Sequence, residues 1–147
     1  MAVEDAAVGL SALAGMPLFA SVGRHDLENI LRIGQLRSFD PDDSIVERGE
    51  PGDALYIVVR GTARVDVGGR YHDLQPGDFF GEMALIAGRK RTATVRALDR
   101  VDALRIGSGE FQGFLVRQPQ VALAMLKSLV ERLREVQERL DAWAGIG

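Results

Sequence analysis

FGEMALIAGRKRTATV, residues 80–95, follows the turn signal Gln75-Pro76-Gly77-Asp78 and interrupts a region of short strand-like runs. It opens with a glycine and a carboxylate, continues as a helix-forming run, and ends with Arg89-Lys90-Arg91 before a β-like segment. The first-turn amides of a helix have no internal acceptors and attract negative charge. Gly81 lets the backbone approach a ligand, and Arg91 offers a planar fork of donors to phosphate oxygens. The pattern therefore favours a phosphate site.

Glu82 does not suit a site for phosphate alone, because a carboxylate repels a neighbouring phosphate. It does suit a nucleotide pocket, where Glu82 accepts a hydrogen bond from a sugar hydroxyl while it pairs with Arg91. The alternative is that Gly81 and Glu82 cap a surface helix and that the basic cluster is a solvated turn. These residues alone leave both interpretations open.

The same stretch resembles the phosphate-binding cassette of the cyclic-nucleotide-binding domain family. The matching residues are Phe80, Gly81, Glu82, Ala84, Leu85, Arg91, Thr92, Ala93 and Val95. Other family-like pieces surround it in order, at Pro17-Leu18-Phe19, Gly49-Glu50-Pro51-Gly52-Asp53, Leu55-Tyr56-Ile57-Val58, Gly61, Leu74 and Gly77-Asp78. The resemblance covers nearly the whole chain, and one minor departure is Lys90, where many members carry proline.

The resemblance implies a regulatory sensor for a 3′,5′-cyclic nucleotide, with cAMP favoured. It also implies that Arg91 binds the cyclic phosphate and that Glu82 accepts the ribose 2′-hydroxyl. Thr92 keeps cGMP possible, because its hydroxyl can meet either the phosphate or a guanine amino group. The remaining implied contacts are cassette backbone and apolar wall positions: Gly81, Met83, Ala84, Val65, Leu74 and Val95.

Composition limits the other function classes. The chain has 147 residues, 46% hydrophobic residues, a net charge of −3 and no cysteine. This length predicts a single domain, residues 1–147, and the acidic balance argues against broad nucleic-acid binding. The lack of cysteine excludes disulfides and thiolate metal sites. No apolar run approaches the roughly 20 residues that span a bilayer, and the N-terminus lacks signal-peptide features, so we expect a soluble, cytoplasmic protein.

The hydrophobic pattern predicts a mainly β fold with flanking helices. Residues 1–35 carry two helical patterns, at 4–15 and 25–33, and from Leu36 the period becomes that of strands. The strand-like runs are 36–39, 44–47, 54–60, 62–67, 70–74, 92–98 and 101–106. Gly68-Gly69 predicts a tight hairpin. Frequent turns suggest a sandwich or barrel, and the resemblance implies a jelly-roll β-roll over 36–107, interrupted by a short cassette helix within 80–95.

Helix returns over residues 108–144, with Ser108 as the expected cap, and Pro119 opens the longest helix, to about Ala144. Its predicted apolar stripe comprises Ala122, Leu126, Leu129, Leu133, Val136, Leu140 and Trp143. The stripe can dock on the protein's own body or form a coiled-coil seam to a second copy or an effector domain. The resemblance implies a third role, a lid over the ligand, with Arg132 and Val136 where some channel members contact the base.

The sequence lacks the residues that a metal-dependent enzyme or a DNA-binding protein needs. A metal-dependent jelly-roll enzyme requires several converging histidines, whereas this chain has only His25 and His72. We interpret His25 as a surface residue. His72 lies on a strand that leads to the cassette, and two interpretations stay open for it: an ordinary strand residue, which we favour, or a residue that borders the base. With so few histidines, we expect no enzyme activity, no metal and no cofactor besides the nucleotide ligand. No recognition helix follows residue 144, so we also expect no DNA binding. The alternative function is a protein-interaction module of the same fold with a vestigial pocket.

Overall fold

Two antiparallel four-stranded sheets and a layer of helices make up the part of the chain that the computed structural model describes, residues 3–82 and 90–143. The first sheet has the order β1 (Gln35–Phe39), β8 (Val101–Gly107), β3 (Ala54–Arg60) and β6 (Phe79–Phe80). The second has the order β2 (Ser44–Val46), β7 (Thr94–Ala97), β4 (Ala63–Val67) and β5 (Arg70–Leu74). This arrangement confirms the jelly-roll prediction.

The helices cover one face of the first sheet. They are α1 (Val3–Ala14), a 3₁₀ turn (Pro17–Phe19), α2 (Arg24–Ile33), α3 (Ser108–Arg117) and α4 (Pro119–Trp143). His25 is exposed at the start of α2, as predicted. None of the described helices is long and apolar enough to cross a membrane. The predicted cassette helix falls mostly on residues 83–89, which lie outside the described residues.

Strand β3 is buried on both faces and lies at the centre of the core. Its sequence, ALYIVVR, is buried at every residue before Arg60. Leu55, Ile57 and Val59 pack against the helices, whereas Tyr56 and Val58 face the second sheet. A strand covered on both sides loses the usual alternation and becomes a continuous hydrophobic run. The strand-like run predicted over 54–60 therefore matches the bounds of β3, and its continuous burial is explained by its place between the helices and the second sheet.

The β4–β5 hairpin turns at Gly68 and Gly69, which have φ values of +60° and +86°. Both angles fall in the left-handed region that a two-residue hairpin of type I′ needs. The backbone N–H of Gly69 donates to Asp66 Oδ1 at 2.8 Å and closes the turn. The turn fixes the register of the hairpin and sets Val65 opposite His72. The hairpin prediction is confirmed.

Three local predictions need correction. The two-residue strand β6 was not predicted, because it is too short to show a period. The strand predicted over 92–98 is limited to Thr94–Ala97. Ser108 is the first residue of α3 and not its cap: the N-cap is Gly107, which has no side chain to accept a first-turn amide. Pro119 does open the last helix.

The last helix docks through a face that shares Leu129 with the predicted stripe but differs from it elsewhere. Val121 and Met125 are buried in the core, and Leu129 packs partly against it. Beyond Arg132, every residue up to Asp141 is exposed. Several large apolar residues of α4 are exposed and are here called the exposed stripe: Leu123, Leu126, Val130, Leu133 and Leu140. The predicted stripe mixed residues of these two faces.

Candidate functional site

A cavity of about 170 Å³ lies where the end of β6, the start of β7 and helix α4 meet. The sequence-predicted residues that line it are Gly81, Glu82, Arg91, Thr92, Val65, Leu74, Val95 and Arg132. The structure therefore brings these predicted residues together. Met83 and Ala84 lie outside the described residues. Six further residues line the cavity and were not predicted as site residues: Val46, His72, Phe79, Phe80, Lys90 and Ala93.

Arg91 is the one charged side chain that is buried among the described residues, with 8% of its surface exposed. Its Nη2 donates to the carbonyl oxygen of Ala54 at 2.9 Å. Its backbone is held as well, because its N–H donates to Glu50 O at 2.8 Å and its carbonyl accepts from Gly49 N at 2.9 Å. The guanidinium carbon lies 5.9 Å from the centre of the Tyr56 ring. These contacts fix the position of the charge.

The second terminal nitrogen of Arg91, Nη1, is buried and has no hydrogen-bond partner among the described residues. A buried donor without an acceptor is uncommon and costs about 1–3 kcal/mol, more when the group is charged. Arg91 lines the cavity, beside Gly81. The arrangement is therefore chemically suited to an anion that accepts hydrogen bonds.

Glu82 pairs with Arg132 and not with Arg91, so the predicted Glu82–Arg91 pairing is wrong. Arg132 Nη1 lies 3.5 Å from Glu82 Oε1, and Arg132 Nη2 donates to the carbonyl oxygen of Phe79 at 3.1 Å. The guanidinium also lies 4.7 Å from the centre of the Phe79 ring. Arg91 is turned toward Ala54 instead, which leaves the carboxylate to the arginine from the last helix.

His72 lines the cavity, whereas the sequence favoured an ordinary strand residue over one that borders the base. The hairpin register contained the signal: His72 is the cross-strand partner of Val65, which was a predicted wall residue. Cross-strand partners point to the same face of a sheet. Once the turn at Gly68-Gly69 was recognised, the prediction of Val65 would also have implicated His72.

Val136 lies outside the cavity but in a groove that adjoins it. This groove, of about 530 Å³, lies between the β4–β5 hairpin and the end of α4. It shares Val65 and His72 with the cavity, and its other lining residues are Val67, Arg70, Tyr71, Val136, Arg139 and Leu140. The two hollows therefore meet along one strand pair.

Within residues 3–82 and 90–143, no group of three or more His, Asp or Glu side chains could hold a metal ion. The cavity contains one carboxylate, Glu82, and one imidazole, His72. Its other charged residues are cations: Lys90, Arg91 and Arg132. The cavity thus has three cationic side chains to one anionic side chain, a balance that favours an anionic ligand.

Comparison with known proteins places the chain among cyclic-nucleotide-binding domains. The sequence model of the family "Cyclic nucleotide-binding domain" matches residues 36–118. A cyclic nucleotide-gated potassium channel of Mesorhizobium japonicum is 38% identical over 120 residues, which are 82% of this chain and 34% of the channel. A cyclic AMP receptor protein of Thermus thermophilus is 30% identical over 135 residues, 88% of this chain and 62% of the relative.

The fold is also similar to that of a solved relative. The crystal structure of the Thermus thermophilus catabolite activator protein superposes with a TM-score of 0.75 at 30% identity, covering 87% of this chain and 63% of that one. The chain spans about a third of the length of the potassium channels that it matches.

Proposed function

Since the chain belongs to the cyclic-nucleotide-binding domain family, we propose that its cavity binds a 3′,5′-cyclic nucleotide and that the protein is a cytoplasmic regulatory sensor without enzyme activity. The observation that carries this proposal is that Arg91, a buried arginine, lines the cavity and that its Nη1 lacks a hydrogen-bond partner among the described residues. An arginine fork matches phosphate geometry, and burial strengthens the attraction. The cyclic phosphate takes this position.

Glu82 supplies the contact to the sugar. A cyclic 3′,5′-phosphodiester leaves the ribose 2′-hydroxyl as the free donor, and an ionised carboxylate is an acceptor with about four lone-pair sites. Glu82 lines the same cavity as Arg91 and has 16% of its side chain exposed. A phosphate at Arg91 and a hydroxyl at Glu82 fix the two ends of the cyclic ribose phosphate.

The base extends from the cavity into the adjoining groove. Ligand pockets commonly measure about 300–1,000 Å³, so a whole nucleotide needs more room than the cavity of about 170 Å³. Val65 and His72 border both hollows, and Val136 lies on the far side of the groove. The apolar wall favours a base that stacks without many polar partners. We favour cAMP, the ligand in the name of the Thermus relative, and Thr92 keeps cGMP as a second ligand.

The last helix acts as the lid in this proposal. It touches the cavity through Arg132, and its exposed outer half borders the groove. A ligand that contacts the helix in one arrangement and not in another shifts the population toward the contacted arrangement. The output is thus a change in the placement of α4, worth about 1–3 kcal/mol of coupling in an ordinary allosteric switch.

Calorimetric titration with cAMP and cGMP tests the site. Arg91→Ala is expected to weaken cAMP binding by about 2–5 kcal/mol, at least about thirtyfold, because the phosphate loses its buried partner. Arg96→Ala is the matched control, since Arg96 is an exposed arginine on β7 that does not line the cavity. Equal affinity of wild type and Arg91→Ala would contradict the assignment.

The exposed stripe of α4 favours a second function, association with a second copy of this chain. Its members Leu123, Leu126, Val130 and Leu133 alternate steps of three and four residues, the spacing of a coiled-coil seam. Leu133 is 63% exposed, so an acidic replacement does not disturb the core. Leu133→Asp is expected to convert a dimer to a monomer on a sizing column. If cyclic nucleotides also fail to raise the melting temperature, the interaction-module alternative replaces the sensor.

A further inference from the structure

Arg132 holds a defined position against the carboxylate side of the cavity. Its Nη1 lies 3.5 Å from Glu82 Oε1, and its Nη2 donates to Phe79 O at 3.1 Å. The Phe79 ring lies against the guanidinium at 4.7 Å. Both terminal nitrogens therefore already have partners on the segment that carries Glu82, and neither is directed to a ligand base by the contacts present.

Glu82 keeps acceptor capacity beside this pair. A carboxylate has two oxygens and about four lone-pair sites, and the Arg132 ion pair is made to Oε1 at 3.5 Å. The 3.5 Å separation is also longer than the roughly 2.7–2.9 Å of a strong charge-assisted hydrogen bond. Glu82 can consequently accept a hydroxyl while the guanidinium neutralises and orients it.

We infer that Arg132 is a positioning residue for Glu82: it supports nucleotide affinity through the ribose 2′-hydroxyl and not through the base. The inference rests on the proposed function, since it assigns the hydroxyl to Glu82. Charge supports it, because an unpaired carboxylate in the cavity would repel the cyclic phosphate at Arg91. Pairing with Arg132 lowers that repulsion and leaves Glu82 as an acceptor.

The position of Arg132 links this contact to the last helix. It is the last residue of α4, up to Asp141, that is not exposed. A change in the contact between Glu82 and the Arg132 guanidinium therefore affects α4 at the residue beyond which the helix is exposed. The ribose hydroxyl, and not only the base, is thereby coupled to the placement of α4.

A ligand that lacks one hydroxyl separates the two roles of Arg132. 2′-Deoxy-cAMP retains the adenine and the cyclic phosphate, so a base contact affects cAMP and 2′-deoxy-cAMP equally. We expect wild type to bind cAMP about tenfold to a hundredfold more tightly than 2′-deoxy-cAMP, as for a hydrogen bond to a charged acceptor. Arg132→Met is expected to reduce this ratio to less than about threefold. It should weaken 2′-deoxy-cAMP binding by a smaller factor than cAMP binding, because the unpaired Glu82 repels the phosphate of both ligands whereas only cAMP also loses the hydroxyl contact.

Two further variants complete the titration. Arg134→Met removes an exposed arginine from the same helix and is expected to keep the wild-type ratio. Arg132→Lys keeps a charge near Glu82 but loses the planar fork, so we expect an intermediate ratio. If Arg132→Met does not fold, Arg132→Lys carries the test, with weaker cAMP binding and unchanged 2′-deoxy-cAMP binding.

The outcomes are distinguishable. An undiminished ratio in Arg132→Met, with both ligands weakened equally, overturns the inference and assigns Arg132 to the base or to helix docking. The proposed function survives that result. If wild type binds neither ligand, the proposed function fails and the inference fails with it.

Discussion

The backbone of Gly81 lies so close to the Arg91 guanidinium that a side chain at position 81 would clash with it. A β-carbon built on Gly81 would lie 2.6 Å from Arg91 Nη1 and 2.7 Å from the carbonyl oxygen of Ala54. Gly81 also has a φ of +93°, a conformation that residues with a side chain rarely adopt. Glycine at this position therefore allows the guanidinium to reach both Ala54 O and the cavity.

Gly81→Ala is expected to weaken cAMP binding by at least about tenfold, because the new methyl group displaces the guanidinium from its site. The substitution also costs about 1–2 kcal/mol of stability through its positive φ. Gly69→Ala is the matched control: Gly69 has a φ of +86°, and a β-carbon there meets nothing within 4 Å. Denaturant unfolding should show a stability loss in both variants, larger in Gly81→Ala because its β-carbon would also lie 2.7 Å from the carbonyl oxygen of Ala54. Calorimetry should show an affinity loss in Gly81→Ala alone.

Tyr56 contacts two residues that line the cavity, Phe80 and Arg91. Its ring stacks on Phe80 with 5.1 Å between centroids and 4° between planes, and it also lies 5.9 Å from the Arg91 guanidinium. Tyr56→Leu is expected to lower the free energy of unfolding by about 1–3 kcal/mol, the combined loss of an aromatic pair and a cation–π contact. Tyr56→Phe keeps the ring and should stay within about 0.5 kcal/mol of wild type. Equal losses in urea unfolding would assign the effect to the hydroxyl.

Local features of the sequence predicted the fold well, because they are set by neighbours in the chain. The run in β3 and the turn at Gly68-Gly69 each specify their own structure through burial and backbone geometry. The cassette spacing likewise predicted that Arg91, Glu82 and Gly81 share one cavity, and the structure brings them together. Their binding of a nucleotide stays a prediction for the titration to test.

What the sequence could not predict depends on packing between distant elements. Helix α4 has apolar residues over a wide arc, so two stripes were possible, and contact with the body decides which of them is buried. The face that docks repeats every four residues, at Val121, Met125 and Leu129. The partner of Glu82 also depends on this packing, because Arg132 reaches Glu82 only when α4 docks through that face.

The β4–β5 hairpin carries an acid-sensitive ion pair. Arg64 Nε donates to Asp73 Oδ1 at 2.8 Å, and this hydrogen bond holds the pKa of Asp73 below its ordinary value of 3.8. A lowered carboxyl pKa in the folded state adds stability above the unfolded pKa, and that stability is lost as the pH falls through the folded pKa. The pair is exposed, so its contribution is small and decreases with salt.

Asp73→Asn is therefore expected to lower the melting temperature slightly at about pH 7 and to make a smaller difference at about pH 3, where the wild-type carboxyl is increasingly protonated. Thermal unfolding at low ionic strength measures both values. In an Arg64→Met background the pH-dependent effect of Asp73→Asn should shrink, because the donor that lowers the pKa is gone. A difference that grows toward acid pH would contradict the assignment.

Met125 and Leu126 are neighbours in α4 with opposite environments, and they test which face of the helix docks. Met125 is 4% exposed within the core, whereas Leu126 is 57% exposed in the exposed stripe. Met125→Ala is expected to lower the free energy of unfolding by about 2–5 kcal/mol through the lost contacts and the cavity left behind. Leu126→Ala should change it by no more than about 0.5 kcal/mol. Urea unfolding at low protein concentration measures both, since dilution removes any contribution from association. A larger loss in Leu126→Ala would mean that the helix docks through the stripe predicted from sequence, with Arg132 then turned away from Glu82.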